Sequence, residues 1–556
     1  MLGRALIIVL AVAAVAVAFA TSRDDGGGDS AANGGAGKAP AGALHVSLLY
    51  SPEKEKLLLP LIERFNASGA RAGGKRVFVD AKNVSSGEVE SGIAAGRLQP
   101  TMWTPASSLW GRLLEYHADK DLVPDDNPSI VRTPLVIAMW EQLADAYGYP
   151  QRKLGYKELS ELALGGWAAA GKPQFGPFKY VHTNPDFSTS GLSAVAASYY
   201  AAAGKLEGLT LEDIERARPQ VRRLERSIVH YGDTTLFIAD EMRRHGLGYA
   251  SAAAMEETTL IEFNREAGDG PRLVAVYPSE GTFFSDNPLI TLKGSWVTPA
   301  QRAAAAVFAK YLEREVTPEV AGRYGFRPAD ETQKPAGNVT AANGVDPAQP
   351  VRVLQLPEPR VLARIKEAWH DDRKPANVMV VLDNSGSMGE EGKLTHAKQG
   401  LRAFLKQPGP NDRIGFMKFS NQAKVLVPIG PMKTNRGRIE SAIEDILPEE
   451  DTRLRDTIVD AVNAVDAKLD RDAINAVVVL TDGADTTSAR SVEETAAELA
   501  EQGQRESGQI RVFTIAYGSE PNEVELDRYA QESGGKAFVA STQNIETVYQ
   551  QISSFF

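Results

Sequence analysis

The chain has no cysteine among its 556 residues. Disulfides, thiolate catalysis and cysteine-ligated zinc are therefore excluded. So is a bacterial lipid anchor, which is built on a cysteine behind the signal. Histidine is scarce as well: the seven present are scattered without the spacing of a zinc site. Positive charge is in deficit. Lys and Arg number 61 against 72 Asp and Glu, for a net charge of −11. Nucleic acid is argued against, because its phosphates demand a basic patch. No Gly-x-Ser-x-Gly elbow marks a serine nucleophile. Residues 166–173 (GWAAAGKP) spell a phosphate-binding loop up to its last letter. Pro173 stands where the Mg²⁺-holding hydroxyl belongs, and no strand precedes it.

What remains is the composition of a globular protein, 43% hydrophobic and 24% charged. The length is too great for one core and suggests about three or four domains. Residues 1–22 read as a targeting segment: Arg4 precedes an unbroken apolar run from Ala5 to Ala20. The run is long for a signal core and short for a spanning helix. Ala18-Phe19-Ala20 offers a cleavage site. Behind it, residues 23–43 are rich in glycine and alanine and form a flexible linker that would serve as a tether. The expectation is a cell-membrane protein with a single N-terminal anchor and its bulk outside the cytoplasm. Secretion after cleavage is the alternative.

The most informative string is Asp-Asn-Ser-Gly-Ser at 383–387, directly behind the apolar run 378–382. A buried strand delivers one carboxylate and two hydroxyls to a turn that opens a helix. Oxygen-only donors on short side chains suit a hard cation such as Mg²⁺, with Mn²⁺ possible. Two later pieces fit beside it. Thr452 sits at a loop-to-helix junction, and Asp482-Gly483 ends a second apolar run. The last 180 residues or so alternate apolar strands with amphipathic helices, which means a parallel sheet covered on both faces. Strands are expected at 377–382, 413–419, 424–429, 475–481, 510–516 and 536–540. The third follows a short turn and is expected as an antiparallel edge. Ligands of doubly wound sheets bind at strand carboxyl ends near the switch point.

Together these pieces resemble the metal-ion-dependent adhesion site of von Willebrand factor A domains: Asp-x-Ser-x-Ser, then Thr, then Asp-Gly. The resemblance spans 375–556 and implies a doubly wound, Rossmann-like α/β fold. It also implies that Ser385, Ser387 and Thr452 supply hydroxyl ligands, while Asp383 and Asp482 supply charge and orient waters. One coordination position then stays open for a carboxylate from a protein partner. The family usually has small residues before the threonine, whereas Glu449-Glu450-Asp451 stand there in this chain.

Residues 44–330 also alternate strand and helix. Their order, the Ser188-Thr189-Ser190-Gly191 turn ahead of an Ala-rich helix and the Gly325-Phe326-Arg327-Pro328 ending resemble bacterial extracellular solute-binding proteins, with two α/β lobes around a cleft. Hydroxyls and free N–H groups at a helix start make an anion seat. Ser51, Ser107, Ser188, Thr189 and Ser190 are the candidate contacts for a small anionic solute. Residues 331–374 read as a linker and lead-in helix, with Leu362, Ile365 and Trp369 on one face. The reading is an exported, tethered binding protein without turnover. A solute-binding component of an uptake system, or an accessory subunit of a chelatase-like complex, are the rivals.

Overall fold

The computed structural model describes residues 39–505 and 508–556. Residues 1–22, expected as a targeting segment, and residues 23–38 of the expected linker lie outside these residues. Among the described residues no helix is long and apolar enough to cross a membrane.

Three sheets organise the described residues. The first lobe is built on five strands, in the order Ile290–Thr291, Met102–Thr104, Leu44–Tyr50, Lys75–Asn83, Arg71–Ala72. The second lobe has seven. Its path runs Phe284–Ser285, Val131–Trp140, Ala252–Glu256, Tyr180–Thr183, Ile228–Gly232. Val131–Trp140, the apolar run where the chain leaves the first lobe, is its central strand and also pairs with Leu273–Val276 and Arg327–Pro328. The third sheet has six strands, ordered Ala423–Pro431, Arg413–Phe419, Ala376–Asp383, Ile474–Thr481, Ile510–Tyr517, Ala537–Ala540. All pairs are parallel except that of Ala423–Pro431, the antiparallel edge.

The third sheet is doubly wound because its central strands are buried throughout. Every residue of Ala376–Asp383, Ile474–Thr481 and Ile510–Tyr517 is inaccessible, as helices on both faces require. The chain reverses its direction of winding between Ala376–Asp383 and Ile474–Thr481. Their carboxyl ends, at Asp383 and Asp482, therefore flank the crevice.

The stretch 331–358 does not behave as a free linker. Val339, Val345 and Leu354 are buried in the second lobe's core. Leu354 N–H donates to Thr282 O and Ala275 N–H to Gly344 O. Its Pro and Gly residues deny it regular structure, but its apolar side chains still find a core. The helix that follows, Pro359–Asp372, packs on Leu109–Ala118 of the first lobe and on Thr189–Ala203 and Leu211–Glu225 of the second. Trp369 is fully buried, its indole N–H donating to Glu225 Oε2 at 3.1 Å. Asp372 takes Arg218 and Arg222.

The third domain is joined to the second lobe by one continuous core. Phe555 packs on His230 and Phe237, Lys536 pairs with Asp233, and Lys374 Nζ donates to Ile228 O. These contacts lie at the amino ends of the third sheet's strands. Its carboxyl ends, about 25 Å away along an eight-residue strand, point away from the lobes.

Candidate functional site

At that far end the backbone places the donors before any side chain acts. Leu382 pairs with Leu480, so Asp383 leaves its strand beside Thr481. Thr481 Oγ1 donates to Asp383 Oδ2 at 2.5 Å, and Ser385 N–H donates to Asp383 Oδ1 at 2.7 Å. Ser385 Oγ and Ser387 Oγ are 3.2 Å apart, and Ser387 Oγ donates to Asp482 Oδ1 at 2.8 Å. Thr452 is held by Thr486, whose Oγ1 accepts the Thr452 N–H and whose own N–H donates to Thr452 O. A Cβ added to Gly483 would sit 3.7 Å from Thr452 Oγ1 and 3.8 Å from Ser387 Oγ. The three loops thus meet, and the glycine keeps the space between them open.

Asp383, Ser385, Ser387, Thr452 and Asp482 therefore converge. Both carboxylates are fully buried. Burial, with Asp482 alongside, pushes the Asp383 carboxyl up to about 6. Two buried acids and three hydroxyls in one crevice form a donor set suited to a small hard cation. They do not form a cluster of three or more His, Cys, Asp or Glu; none that could hold a metal occurs among the described residues. Two participants escaped the sequence reading. Thr481 could have been flagged as the hydroxyl next to Asp482-Gly483. Lys393 reaches Asp482 Oδ2 with its ammonium at 2.9 Å. Its signal was a lysine opening a helix, the end where a cation is least favoured.

The acids before Thr452 do not join the crevice. Lys418 and Ser420 hold the Glu449 carboxylate, while Glu450 and Asp451 are exposed.

The interlobe cleft is a different kind of place. Ser51, Ser188 and Thr189 line it; Ser107 and Ser190 do not. Ser107 Oγ accepts from Leu109 N–H at the start of a helix, and Ser190 Oγ sits 2.8 Å from Thr183 Oγ1. Both are buried. The lining hydroxyls are also engaged. Ser51 Oγ donates to Glu53 and accepts from Lys54. Thr189 Oγ1 accepts the Trp110 indole N–H at 2.7 Å, a bond from one lobe to the other. Trp110, fully buried, is thus also a clasp. Gly87 N–H donates to Phe187 O across the lobes, and a Cβ at Gly87 would lie 1.9 Å from Asp186 O.

The room left between the walls for the centre of a water-sized sphere is about 30 Å³, enough for about two waters. Glu53, Asp233 and Glu256 line it, and among the described residues no Lys, Arg or His does. Lys54 lies fully buried behind the wall, its three N–H bonds directed at Ser51, Asn287 and Glu53. The expected anion seat is therefore not built. Its hydroxyls have internal partners, and the ionisable groups that line it are acids.

The geometry defines a two-module binding protein, with a two-lobed domain followed by a doubly wound one. Residues 46–327, a little over half of the chain, match the family model of bacterial extracellular solute-binding proteins, and residues 377–551 match that of the von Willebrand factor type A domain. The chain belongs to the bacterial extracellular solute-binding protein family and carries a von Willebrand factor type A domain. It is 24% identical over 407 residues to an uncharacterized protein of Mycobacterium tuberculosis, a match covering 70% of this chain and 57% of the relative. Among solved structures it is similar to the periplasmic binding protein AfuA of Actinobacillus pleuropneumoniae (13% identity, 60% of this chain and 99% of that one, TM-score 0.43). It is also similar to a von Willebrand factor type A protein of Catenulispora acidiphila (17% identity, 32% of this chain and 42% of that one, TM-score 0.29).

Proposed function

We propose that the protein is an exported, membrane-tethered binding protein that grips an acidic group on a protein partner through a divalent cation, Mg²⁺ or Mn²⁺, in its A domain. The observation that carries this reading is the convergence of two buried carboxylates and three hydroxyls at the end of the domain that faces away from the lobes. Ser385, Ser387 and Thr452 would ligate directly, with Asp383 and Asp482 supplying charge and orienting waters. A bound Mg²⁺ would supply an open position for a carboxylate. Thr481 and the Ser385 N–H orient Asp383, so the donors are held in place before any cation arrives. The two lobes and the helix Pro359–Asp372 serve as a rigid base. The apolar run 5–20 would attach that base to the membrane.

Calorimetric titration of the full chain with MgCl₂ and MnCl₂, wild type against Asp383→Ala, tests the site. Binding should be lost in the variant, by more than the ~10–100-fold that an outer partner of a ligand costs. Equal affinities would overturn the reading and leave 383–387 as a helix cap. Fractionation of cells tests the tether, which fails if the protein is recovered as a soluble species beginning at Thr21.

A further inference from the structure

Lys393 has no part in the ligand set above, yet it is placed with care. It opens the helix Lys393–Phe404, and its side chain is 8% exposed. A lysine at a helix N-terminus faces the positive end of the dipole and loses its hydration when buried. It therefore needs a compensating anion, and Asp482 Oδ2 stands 2.9 Å from the ammonium. Its backbone and its stem are flanked as well. Tyr517 Oη donates to Lys393 O at 3.0 Å. Gly518, at φ +86°, passes so close that a Cβ there would lie 3.5 Å from Lys393 Cε. Asp482 is thus shared. Oδ1 accepts from Ser387 in the crevice, and Oδ2 faces Lys393 behind it.

The charges then add up in a specific way. Asp383 and Asp482 carry two negative charges, which a divalent cation would cancel. Among the buried groups of the crevice, Lys393 then leaves one net positive charge, and the exposed Glu390 and Glu520 are the other acids that act on its ammonium. A group from a partner that neutralises it further must be an anion.

Resting on the adhesion-site reading above, we infer that Lys393 sets the specificity of the site. It weakens the hold on the cation alone and makes the loaded site demand a carboxylate. The ammonium shields Asp482 when no cation is bound and adds its charge to the attraction for the partner's acid when one is.

The test uses the full chain as wild type, Lys393→Met and Lys393→Arg. Mn²⁺ affinity is measured by calorimetry. Acetate is the probe of the open position, followed by the paramagnetic relaxation of its methyl protons at equal Mn²⁺ occupancy. Lys393→Met should bind Mn²⁺ about tenfold tighter and relax acetate several-fold less, while Lys393→Arg stays nearer to wild type in both. Binding in Lys393→Met but not in wild type would support the charge assignment in its strongest form. Equal Mn²⁺ affinities in wild type and Lys393→Met would overturn the inference and leave the adhesion site standing. Binding in none of the three would overturn both. If Lys393→Met fails to fold, the Arg variant still decides: a Mn²⁺ affinity tenfold above wild type with the charge retained would refute the role.

Discussion

The A-domain crevice and the interlobe cleft start from the same raw material. Each collects serines, threonines and acids from loops at strand ends that feed helices, and each lies between elements far apart in sequence. In the crevice the hydroxyls of Ser385, Ser387 and Thr452 lean toward one point, and Gly483 keeps that point open. In the cleft, Ser51 is bonded to Lys54 and Glu53 and Thr189 to Trp110, while Ser190, which does not reach the cleft, is bonded to Thr183. Side-chain chemistry does not separate the two places. What does is where the bonds run: Ser385 and Ser387 bond to each other and to Asp482, all within the candidate donor set, whereas Ser51 and Thr189 are tied to Lys54, Glu53 and Trp110.

The cleft's closure also depends on an element outside both lobes. Pro359–Asp372 joins the first lobe through Leu362, which shares one buried cluster with Trp110 and Leu192, and the second through Trp369. Lys366 and His370 hold Asp186, in the loop that meets Gly87. Trp369→Ala should therefore have the largest effect on stability, a loss of about 3–5 kcal/mol, read by chemical denaturation of the full chain. Mg²⁺ affinity at the far end of the A domain should stay within about twofold. A stability loss below about 1 kcal/mol would mean that the helix merely rests on the lobes. A matching loss of Mg²⁺ binding would mean that the two regions are one system.

Charge sharpens the contrast next. Burial, with Glu53 nearby, pushes the Glu256 carboxyl up from an ordinary 4.5 to about 7. Because the folded value is raised, the stability associated with the neutral acid is complete below about pH 4.5. It is lost as the pH climbs through 7. Glu256→Gln keeps the shape and removes the titration. At pH 8 the variant should be more stable than wild type by up to roughly 3 kcal/mol, with the advantage gone by about pH 5. Melting temperatures across pH 5–8 measure it. Parallel profiles for the two proteins would show that the closed cleft tolerates the extra negative charge.

The A-domain strands were legible in the sequence to within about two residues, because a strand buried on both faces is an unbroken apolar run and its neighbours cannot imitate it. The metal candidates were legible for a related reason: strand ends and helix starts announce where Asp383, Thr452 and Asp482 emerge, and the doubly wound order brings such ends together. The stretch 331–358 was misread because Pro and Gly report on backbone regularity and not on packing. Val339 and Leu354 carried the packing signal without any period. The cleft was misread for a deeper reason. That Lys54 turns inward to Ser51 and Asn287, 233 residues away from the latter, depends on tertiary closure. No local pattern distinguishes a serine that will be free from one that will be occupied.

The smallest effect belongs to the acids before Thr452, where the chain departs from the A-domain pattern. Three carboxylates beside a cation site invite the idea that they strengthen it or fill its open position. The contacts of Glu449 argue otherwise. Lys418 pairs with Oε1, Ser420 Oγ donates to Oε2 at 2.7 Å, and the Glu449 N–H donates to Asn384 O at 2.7 Å. Those bonds from Lys418 and Ser420 hold the carboxyl below its usual range, so it is ionised, paired and turned toward the second strand of the sheet. Thr452 takes its position from Thr486 and needs no help from the acids. Glu449→Gln would remove a charge that Lys418 already offsets, at an exposed position where salt screens what remains. Mg²⁺ affinity at about 0.15 M salt should change by less than about twofold in the same calorimetric titration. A loss of tenfold or more would mean that Glu449 leaves Lys418 and reaches the cation. The open position would then have an internal occupant, and the crevice would share the self-satisfied character of the cleft.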